Sequence, residues 1–392
     1  MNLSEFNSLV DLFFYQAKKQ NSQSAFLEWL NPKNKKKFTW GETSSNIYKL
    51  TKTLKENIAS GDRCLLVSEN RPEWLISDIA VMLADGITVP AYTTYTEKDY
   101  KYLIEDCNPS VIIVSNNEMH DKLQNIIEEK TFIRKVITFD KIQKADYENK
   151  YLDFNSIIKR DLQEGDKIQN LNLKRNSPAC IIYTSGTGGN PKGVILSHLN
   201  LLSDAMSISK WFQFNEKTRC LCILPLFHNN GQITTLLAPL YSGGSTVIVK
   251  GKVSLFAFWF LVNEYGITWT SVMSSILSIL LSFSEERKDN SLLGILCGGQ
   301  ILTQSIQEKF ENRFNVPIFE GYGLTETTSF SCINGYPSNK RKIGSIGKPL
   351  LSNEMIILNE NGQQSPDNQE GEICIRGYNV AIGYLGNELM NN

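Results

Sequence analysis

The chain has 392 residues, which exceeds one ordinary hydrophobic core and predicts two or three subdomains. Hydrophobic residues make up 41% and charged residues 21% of the sequence, a composition that is typical of a globular protein and excludes wholesale disorder. The formal net charge of −1 does not predict a basic surface for nucleic acid, so we do not expect nucleic-acid binding.

The first part of the chain alternates predicted helices and strands. Helices are predicted at 4–18, 43–57, 74–84, 97–106 and 120–129, and strands at 25–29, 37–40, 64–68, 86–91, 111–114 and 135–138. This alternation predicts a parallel, doubly wound sheet. A polar, irregular region at 140–177 follows, and we place the first domain boundary within it, at residue 170.

A second α/β alternation runs to about residue 340. Helices are predicted at 199–212, 231–240, 256–265 and 276–283, and strands at 219–224, 245–249, 293–297 and 316–319. After residue 342 the chain changes to glycines, turns and short strands, and 353–358 is expected to pair with 371–376 as a hairpin. The expected domains are therefore 1–170, 171–340 and 341–392.

The segment from Tyr183 to Gly193 joins two apolar runs and combines three Ser or Thr residues, four glycines and one lysine. Glycines let backbone N–H groups approach phosphate oxygens, hydroxyls donate hydrogen bonds, and Lys192 adds a positive charge. A Walker A loop is excluded because Pro191 precedes and Gly193 follows this lysine, and a Rossmann fingerprint is excluded because a strand follows. A flexible hairpin turn is the remaining alternative to a phosphate-binding loop.

Three further segments follow predicted strands. Gly321 to Thr327 offers a tyrosine that could stack on a base and a carboxylate, Glu326, that could hold Mg²⁺. On its own this segment is more typical of a glycine-rich turn with an exposed Glu. Cys297 to Gln300 lies where ligands bind in open α/β sheets, or is a tight turn. Pro225 to Gly231 contains His228, and a lone histidine is more often structural than catalytic.

Together these motifs resemble those of the adenylate-forming superfamily, which includes acyl-CoA synthetases, adenylation domains of peptide synthetases and luciferases. The segment 183–194 is similar to its phosphate-binding signature, although Thr or Ser is common where this chain has Gly188. Residues 321–326 are similar to its Gly-Tyr-Gly-x-Thr-Glu motif. Residues 61–74 and 89–92 resemble the N-terminal half of long-chain acyl-CoA synthetases, and 371–377 and 383–386 resemble a late barrel motif.

The resemblance implies a fold and a set of roles. The fold is α/β, with two doubly wound α/β subdomains packed together and a small distorted β-barrel subdomain. Catalytic roles are implied for Lys192, Thr184, Glu326 and His228, and Mg²⁺ binding for Thr184 and Glu326. ATP binding is implied for Thr184, Ser185, Gly186, Thr187, Gly188, Gly189, Lys192, Gly298, Gly299, Gln300, Glu320, Gly321, Tyr322, Gly323 and Thr325. The acyl pocket is implied to contain His228, Gly231, Ser271, Met273 and Ser274.

The implied activity is ATP-dependent conversion of a carboxylic acid to an acyl-adenylate, followed by transfer to coenzyme A. A long-chain fatty acid is favoured by the N-terminal resemblance, while aromatic and short-chain acids stay open. Two alternatives stay open: an adenylation domain that loads a carrier protein, and a non-catalytic nucleotide-binding module. A luciferase-like monooxygenase is conceivable on fold alone. The expected partners are the acid, ATP and coenzyme A, with a homodimer as one candidate assembly.

The remaining expectations concern the chain's ends and its location. The family pattern continues to a Gly-Asp pair and a small C-terminal domain with a catalytic lysine, whereas this sequence ends at Asn392. We therefore expect the large N-terminal domain of a longer enzyme. The eight cysteines form no CxxC motif, the N-terminus resembles no signal peptide, and no apolar run is long enough to span a bilayer. These features favour a cytoplasmic protein without a transmembrane segment.

Overall fold

The computed structural model describes residues 2–31, 35–143, 145–166, 173–184, 190–250, 253–285 and 290–387. Strands alternate with helices along most of this length. The strands are β1 (Ala25–Leu30), β2 (Lys35–Thr39), β3 (Arg63–Val67), β4 (Ile87–Pro90), β5 (Val111–Val114), β6 (Lys135–Thr138), β7 (Tyr151–Asp153), β8 (Pro178–Thr184), β9 (Lys192–Ser197), β10 (Arg219–Cys222), β11 (Ser245–Val249), β12 (Trp269–Val272), β13 (Gly294–Cys297), β14 (Ile318–Tyr322), β15 (Cys332–Ile333), β16 (Lys348–Pro349), β17 (Asn353–Leu358), β18 (Glu372–Gly377) and β19 (Gly383–Tyr384).

The helices lie between most of these strands. They are α1 (Leu9–Lys19), α2 (Trp40–Lys55), α3 (Pro72–Leu83), α4 (Glu97–Cys107), α5 (Asn117–Asp121), α6 (Gln124–Glu129), α7 (Phe154–Ile158), α8 (His198–Trp211), α9 (Ala238–Ser242), α10 (Val253–Phe256), α11 (Phe258–Glu264), α12 (Ser274–Phe283) and α13 (Gln304–Phe314). A π-helix (Asn230–Leu237) precedes α9, and short 3₁₀ turns lie at Leu3–Glu5, Glu164–Asp166, Thr325–Thr327 and Ser338–Lys340.

Two large sheets carry the fold. Sheet I has the order β19-β9-β8-β4-β3-β5-β6-β7, and sheet II has the order β16-β15-β14-β13-β12-β10-β11-β1-β2. The central strands of both sheets are parallel, and antiparallel strands lie at their edges. A separate two-stranded antiparallel sheet joins β17 to β18, from Asn353 opposite Gly377 to Leu358 opposite Glu372. The predicted α/β class with two parallel-sheet subdomains is confirmed, and the third unit is this small antiparallel sheet.

Apolar runs explain why helices cover both faces of each sheet. In β5 every residue is buried, as expected of a parallel strand enclosed on both faces. One core lies between the two sheets around α3, which is buried along its whole length. A second core packs α11 to α13 against the outer face of sheet II, and a third packs α4 to α6 against the outer face of sheet I. The result is a layered α/β/α/β/α arrangement.

Sheet membership does not follow the chain order. The first two strands, β1 and β2, extend sheet II beside β11, while β8 and β9 extend sheet I beside β4. Strand pairing is set by long-range packing, whereas our boundaries at 170 and 340 follow only local composition. The three expected domains stay a prediction, and the phosphate-loop strands lie in the sheet of the first half.

Some elements were not predicted. The region 140–177, expected to be irregular, contains β7 and α7, and Asp153 caps that helix by accepting hydrogen bonds from the N–H groups of Asn155 and Ser156. Strand β12 and helix α13 were also missed. Across the described residues, no helix has both the length and the apolar composition needed to cross a bilayer.

Candidate functional site

A cavity of about 280 Å³ opens at the carboxyl ends of the parallel strands of sheet II. This is the edge at which open α/β sheets bind ligands. Its wall comes from the segments that follow β10, β12, β13 and β14, namely Leu224, Pro225, His228, Asn229, Asn230, Met273, Gly298, Gly299, Gly323, Leu324, Thr325, Ser329 and Phe330. Six of the predicted site residues therefore lie on one cavity: His228, Met273, Gly298, Gly299, Gly323 and Thr325.

The predicted adenine side is built around a phenylalanine that the sequence analysis missed. The ring of Phe330 packs so closely on Gly298 and Gly321 that a Cβ atom on either glycine would lie 2.4 Å or 2.5 Å from ring atoms. Glycine is thus needed at both positions, because a side chain would prevent the ends of β13 and β14 from packing on the Phe330 ring. Phe330 lies beyond the motif in sequence, so no local pattern pointed to it.

Three other predicted ATP-binding residues lie at the same edge but do not line the cavity. Gln300 is exposed and accepts a hydrogen bond from the Ser274 hydroxyl at 3.3 Å. Glu320 is buried and accepts from the Leu302 N–H at 3.3 Å, and burial raises the pKa of its carboxyl. Tyr322 ends β14, half-buried beside them. The structure therefore groups these residues near the cavity without directing all of them into it.

The predicted acyl side joins the two sheets. His228, which follows β10 of sheet II, lies 3.2 Å through its Nδ1 from the hydroxyl of Tyr92, which follows β4 of sheet I. The two rings meet edge to face with centroids 4.5 Å apart. Burial lowers the pKa of His228, so the imidazole is neutral at pH 7. Tyr92 was not predicted as a site residue, although it ends the quoted stretch 89–92.

The other predicted acyl-pocket residues surround His228 at different depths. Gly231 is the second residue of the π-helix, and a Cβ atom at this position would lie 2.3 Å from the Pro225 carbonyl oxygen. Ser271 is buried in β12, and its hydroxyl donates to Asn230 Oδ1 at 2.6 Å. Met273 lines the cavity, whereas Ser274 turns its hydroxyl to Gln300.

The predicted phosphate side is described only at its flanks. Ser185, Gly186, Thr187, Gly188 and Gly189 lie outside the described residues. Thr184 and Lys192, at the ends of β8 and β9, stand directly opposite each other in the antiparallel register. The two strands therefore bring the first and last functional residues of the loop together.

Tyr384 connects these strands to Glu326. Strand β19 pairs with β9, and the Tyr384 hydroxyl donates to Glu326 Oε1 at 2.8 Å. The Nζ of Lys192 lies 5.4 Å from the centroid of the same tyrosine ring. The Ala381 N–H also donates to the Glu326 carbonyl at 2.8 Å, which holds the 3₁₀ turn against the segment before β19. A cation and a carboxylate thus both lie beside the same phenol.

The donor set near this tyrosine suits a hard cation. Glu326 offers a carboxylate and Thr184 a hydroxyl, and Mg²⁺ prefers oxygen ligands of this kind. Among the residues that the structure describes, no group of three or more His, Cys, Asp or Glu side chains could hold a metal ion by itself. Glu326 and Thr184 are therefore donors that fit Mg²⁺, and they would supply only part of its oxygen ligands.

The curated relatives of this chain include CoA ligases. Oxalate–CoA ligase of Arabidopsis thaliana is 30% identical over 343 residues, which cover 85% of this chain and 64% of that protein. Sulfoacetate–CoA ligase of Cupriavidus necator is 35% identical over 209 residues, which cover 53% of this chain and 41% of that protein. The chain thus spans less than two thirds of the length of either curated relative.

The fold has a solved counterpart. The crystal structure of the anthranilate CoA ligase AuaEII in complex with anthranoyl-AMP has a TM-score of 0.89 at 20% sequence identity, over 99% of this chain and 73% of that chain. The family model of the AMP-binding enzymes matches residues 13–385. The chain therefore belongs to the AMP-binding enzyme family, within the adenylate-forming superfamily that its motifs resemble.

Proposed function

We propose that this chain binds ATP at the cavity edge and joins a carboxylic acid to the α-phosphate, as the activating part of an acid–CoA ligase. The observation that carries the proposal is the convergence of Lys192 and Glu326 on Tyr384, beside the two strands that flank the phosphate loop. The family membership and the CoA ligases among its relatives support the same reaction class.

The reaction overcomes the poor leaving group of a free carboxylate. A carboxylate oxygen attacks the α-phosphorus of ATP, the bond to the bridging oxygen breaks, and pyrophosphate leaves. The product is an acyl-adenylate, whose leaving group is AMP. A thiol sulfur of coenzyme A can then attack the carbonyl carbon and expel AMP, which gives the thioester.

The chain's residues would act mainly by charge and alignment. Lys192 would neutralise the departing pyrophosphate, and the hydroxyls of Thr184, Ser185 and Thr187 with the loop amides would bind the β- and γ-phosphates. Thr184 and Glu326 would hold Mg²⁺, with further oxygens from phosphates and water. When bound, Mg²⁺ supplies positive charge that disperses the charge of the triphosphate.

The nucleotide base and the acid would share the cavity. Gly298 and Gly299 with the segment from Glu320 to Thr325 would flank adenine, beside the Phe330 ring. His228 would border the carboxylate as a neutral group, because burial lowers its pKa, so we give it no role as a general base. Two acid classes are candidates for the pocket: the fatty acids favoured by the N-terminal resemblance, and short acids of the size named for the curated relatives.

Calorimetric titration with MgATP tests the site. Lys192→Ala and Glu326→Ala should each weaken binding by at least about tenfold, because each removes a charged partner of the triphosphate or its metal. Lys98→Ala and Glu360→Ala, which change exposed residues of the same types, are the matched controls and should bind as the wild type does. Unchanged binding in both site variants would remove the assignment.

A further inference from the structure

Two neighbouring asparagines form part of the cavity wall and have no role in the reaction described above. Asn229 and Asn230 lie between His228 and Gly231, and both line the cavity. Apolar neighbours on the same wall are Leu224, Pro225 and Met273. A few polar groups on a partly apolar wall fix the orientation of a ligand.

The amide of Asn230 is held in one orientation. Its Oδ1 accepts hydrogen bonds from the hydroxyls of Ser271 at 2.6 Å and Thr234 at 3.2 Å. Two donors on the oxygen leave the NH₂ end on the other side of the amide, where Asn230 borders the cavity. Within the described part of the chain, no residue accepts a hydrogen bond from that NH₂ group.

The amide of Asn229 lies deeper in the wall than that of Asn230. The residue is only 6% exposed, and its Nδ2 is buried without a hydrogen-bond partner among the described residues. An atom that solvent cannot reach is also out of reach of a ligand in the cavity, so the Asn229 amide has a structural role in the wall. The donor that a ligand can reach is therefore the NH₂ group of Asn230.

The cavity is also uncharged. None of the described residues that line it is Lys, Arg, Asp or Glu, and burial keeps His228 neutral at pH 7 by lowering its pKa. A second anionic group on the ligand would lose its hydration here without meeting a positive side chain of the wall. The acceptor that suits this wall is therefore uncharged.

We propose that the acid activated by this site carries an uncharged hydrogen-bond acceptor, a hydroxyl or oxo group, on its acyl part, and that the NH₂ group of Asn230 recognises it. This rests on the proposed function, because the amide would select among acids for adenylation. A saturated alkyl chain would leave this NH₂ group without an acceptor, and sites built to hydrogen-bond a substrate group discriminate strongly against analogues that lack it.

The test is acid-dependent pyrophosphate exchange with matched acids. The panel contains acids of three to five carbons with a hydroxyl at C2, C3 or C4, each with the analogue in which methyl replaces hydroxyl, for example 3-hydroxybutanoate and 3-methylbutanoate. Succinate, glutarate and hexadecanoate complete it. The best hydroxy acid should exceed its methyl analogue in kcat/KM by at least about 100-fold. Preference for a methyl analogue, a dicarboxylate or hexadecanoate would overturn the proposal.

One variant with a matched control separates recognition from structural support. Asn230→Leu keeps the side-chain volume and removes the amide, so it should reduce the ratio of kcat/KM for the hydroxy acid to kcat/KM for its methyl analogue at least tenfold, while the Kd for MgATP stays unchanged. Asn361→Leu, in an exposed turn of the β17–β18 hairpin, is the matched control. A ratio that survives in Asn230→Leu would overturn the role of the amide.

Failure of the proposed function gives a different result. Without MgATP binding, and without exchange on any acid, the proposed function and this inference would both be contradicted. With MgATP bound and exchange driven only by alkyl acids, the inference alone would be contradicted.

Discussion

The side chain of Tyr384 contacts two charged residues of the candidate site. Tyr384 donates its hydroxyl proton to Glu326 and presents its ring to Lys192. Burial, with the hydrogen bond to Glu326, raises the pKa of Tyr384 to about 12, so the hydroxyl stays protonated and remains a donor at physiological pH. The position of the carboxylate thus depends on a residue from the far end of the described chain.

Tyr384→Phe tests this dependence. The change keeps the aromatic ring beside Lys192 and removes the hydrogen bond to Glu326. Hydrogen bonds to charged groups contribute about 1.5–3 kcal/mol, so we expect MgATP binding to weaken by at least about fivefold. Calorimetry measures the change, with Tyr378→Phe, at an exposed tyrosine six residues earlier, as the control. Equal affinities in both variants would show that Glu326 does not need this partner.

Sequence patterns identified motifs at the residue scale but not the partners of individual atoms. Asn229 and Asn230 stood inside the quoted segment around His228, yet only the structure shows that Ser271 and Thr234 occupy one end of an amide. Phe330 was missed because its contact with Gly298 joins residues that are far apart in sequence. Such contacts arise from tertiary packing, which no local pattern encodes.

At the scale of elements, the helix predicted at 231–240 differs most from its prediction. The structure has a π-helix (Asn230–Leu237) followed by α9, and the Ala238 N–H bonds to the Ile233 carbonyl five residues back. Gly231 packs on the Pro225 carbonyl oxygen, and Thr235 donates to the Gly231 carbonyl at 2.7 Å. Wide turns of this kind are frequent at functional sites, and this one places Asn230 on the cavity.

Other elements were predicted closely. Strands β5, β6 and β11 begin and end at the predicted residues, because each is a short apolar run bounded by polar or turn residues. Strand β12 was missed since Thr270 and Ser271 interrupt its apolar pattern, although both are buried. The predicted helix at 120–129 is divided into α5 and α6. Buried polar residues therefore caused more errors in the predicted strands than low strand propensity did.

The start of α8 contains a histidine whose protonation should destabilise the fold. His198 is buried, and its Nδ1 accepts a hydrogen bond from the Leu9 N–H at 3.4 Å, which joins α8 to α1. Burial lowers the pKa of His198 to about 4, from a usual value of 6.5. Between these values the unfolded chain binds more protons than the folded one, so the free energy of unfolding falls as the pH drops from 6.5 towards 4.

His198→Asn tests this pH dependence. Asparagine keeps an acceptor for Leu9 and does not titrate. Between pH 7 and pH 4 the wild type should lose about 3 kcal/mol of unfolding free energy relative to the variant, as measured by urea denaturation. Asp78, whose pKa burial raises to about 7, acts with the opposite sign in this range but is present in both proteins. Parallel curves for the two proteins would contradict the assignment.

At the scale of the whole molecule, the candidate site needs both sheets. Sheet II contributes the cavity edge with His228, whereas sheet I contributes Tyr92 and the strands that carry Thr184 and Lys192. The alternation of helices and strands predicted two α/β subdomains correctly. It could not predict that β1 and β2 join one sheet while β8 and β9 join the other, because these pairings connect distant parts of the chain.

We propose that a carboxylate oxygen attacks the α-phosphorus of ATP at this site. The most direct test is a single turnover with MgATP and an acid labelled with ¹⁸O in both carboxylate oxygens, followed by trapping with hydroxylamine. Attack by the acid makes a labelled oxygen the bridge, and trapping cleaves the bond from that oxygen to the carbonyl carbon. We expect AMP that carries one ¹⁸O atom; unlabelled AMP, or label in inorganic phosphate with ADP as the nucleotide product, would show that the acid does not attack the α-phosphorus.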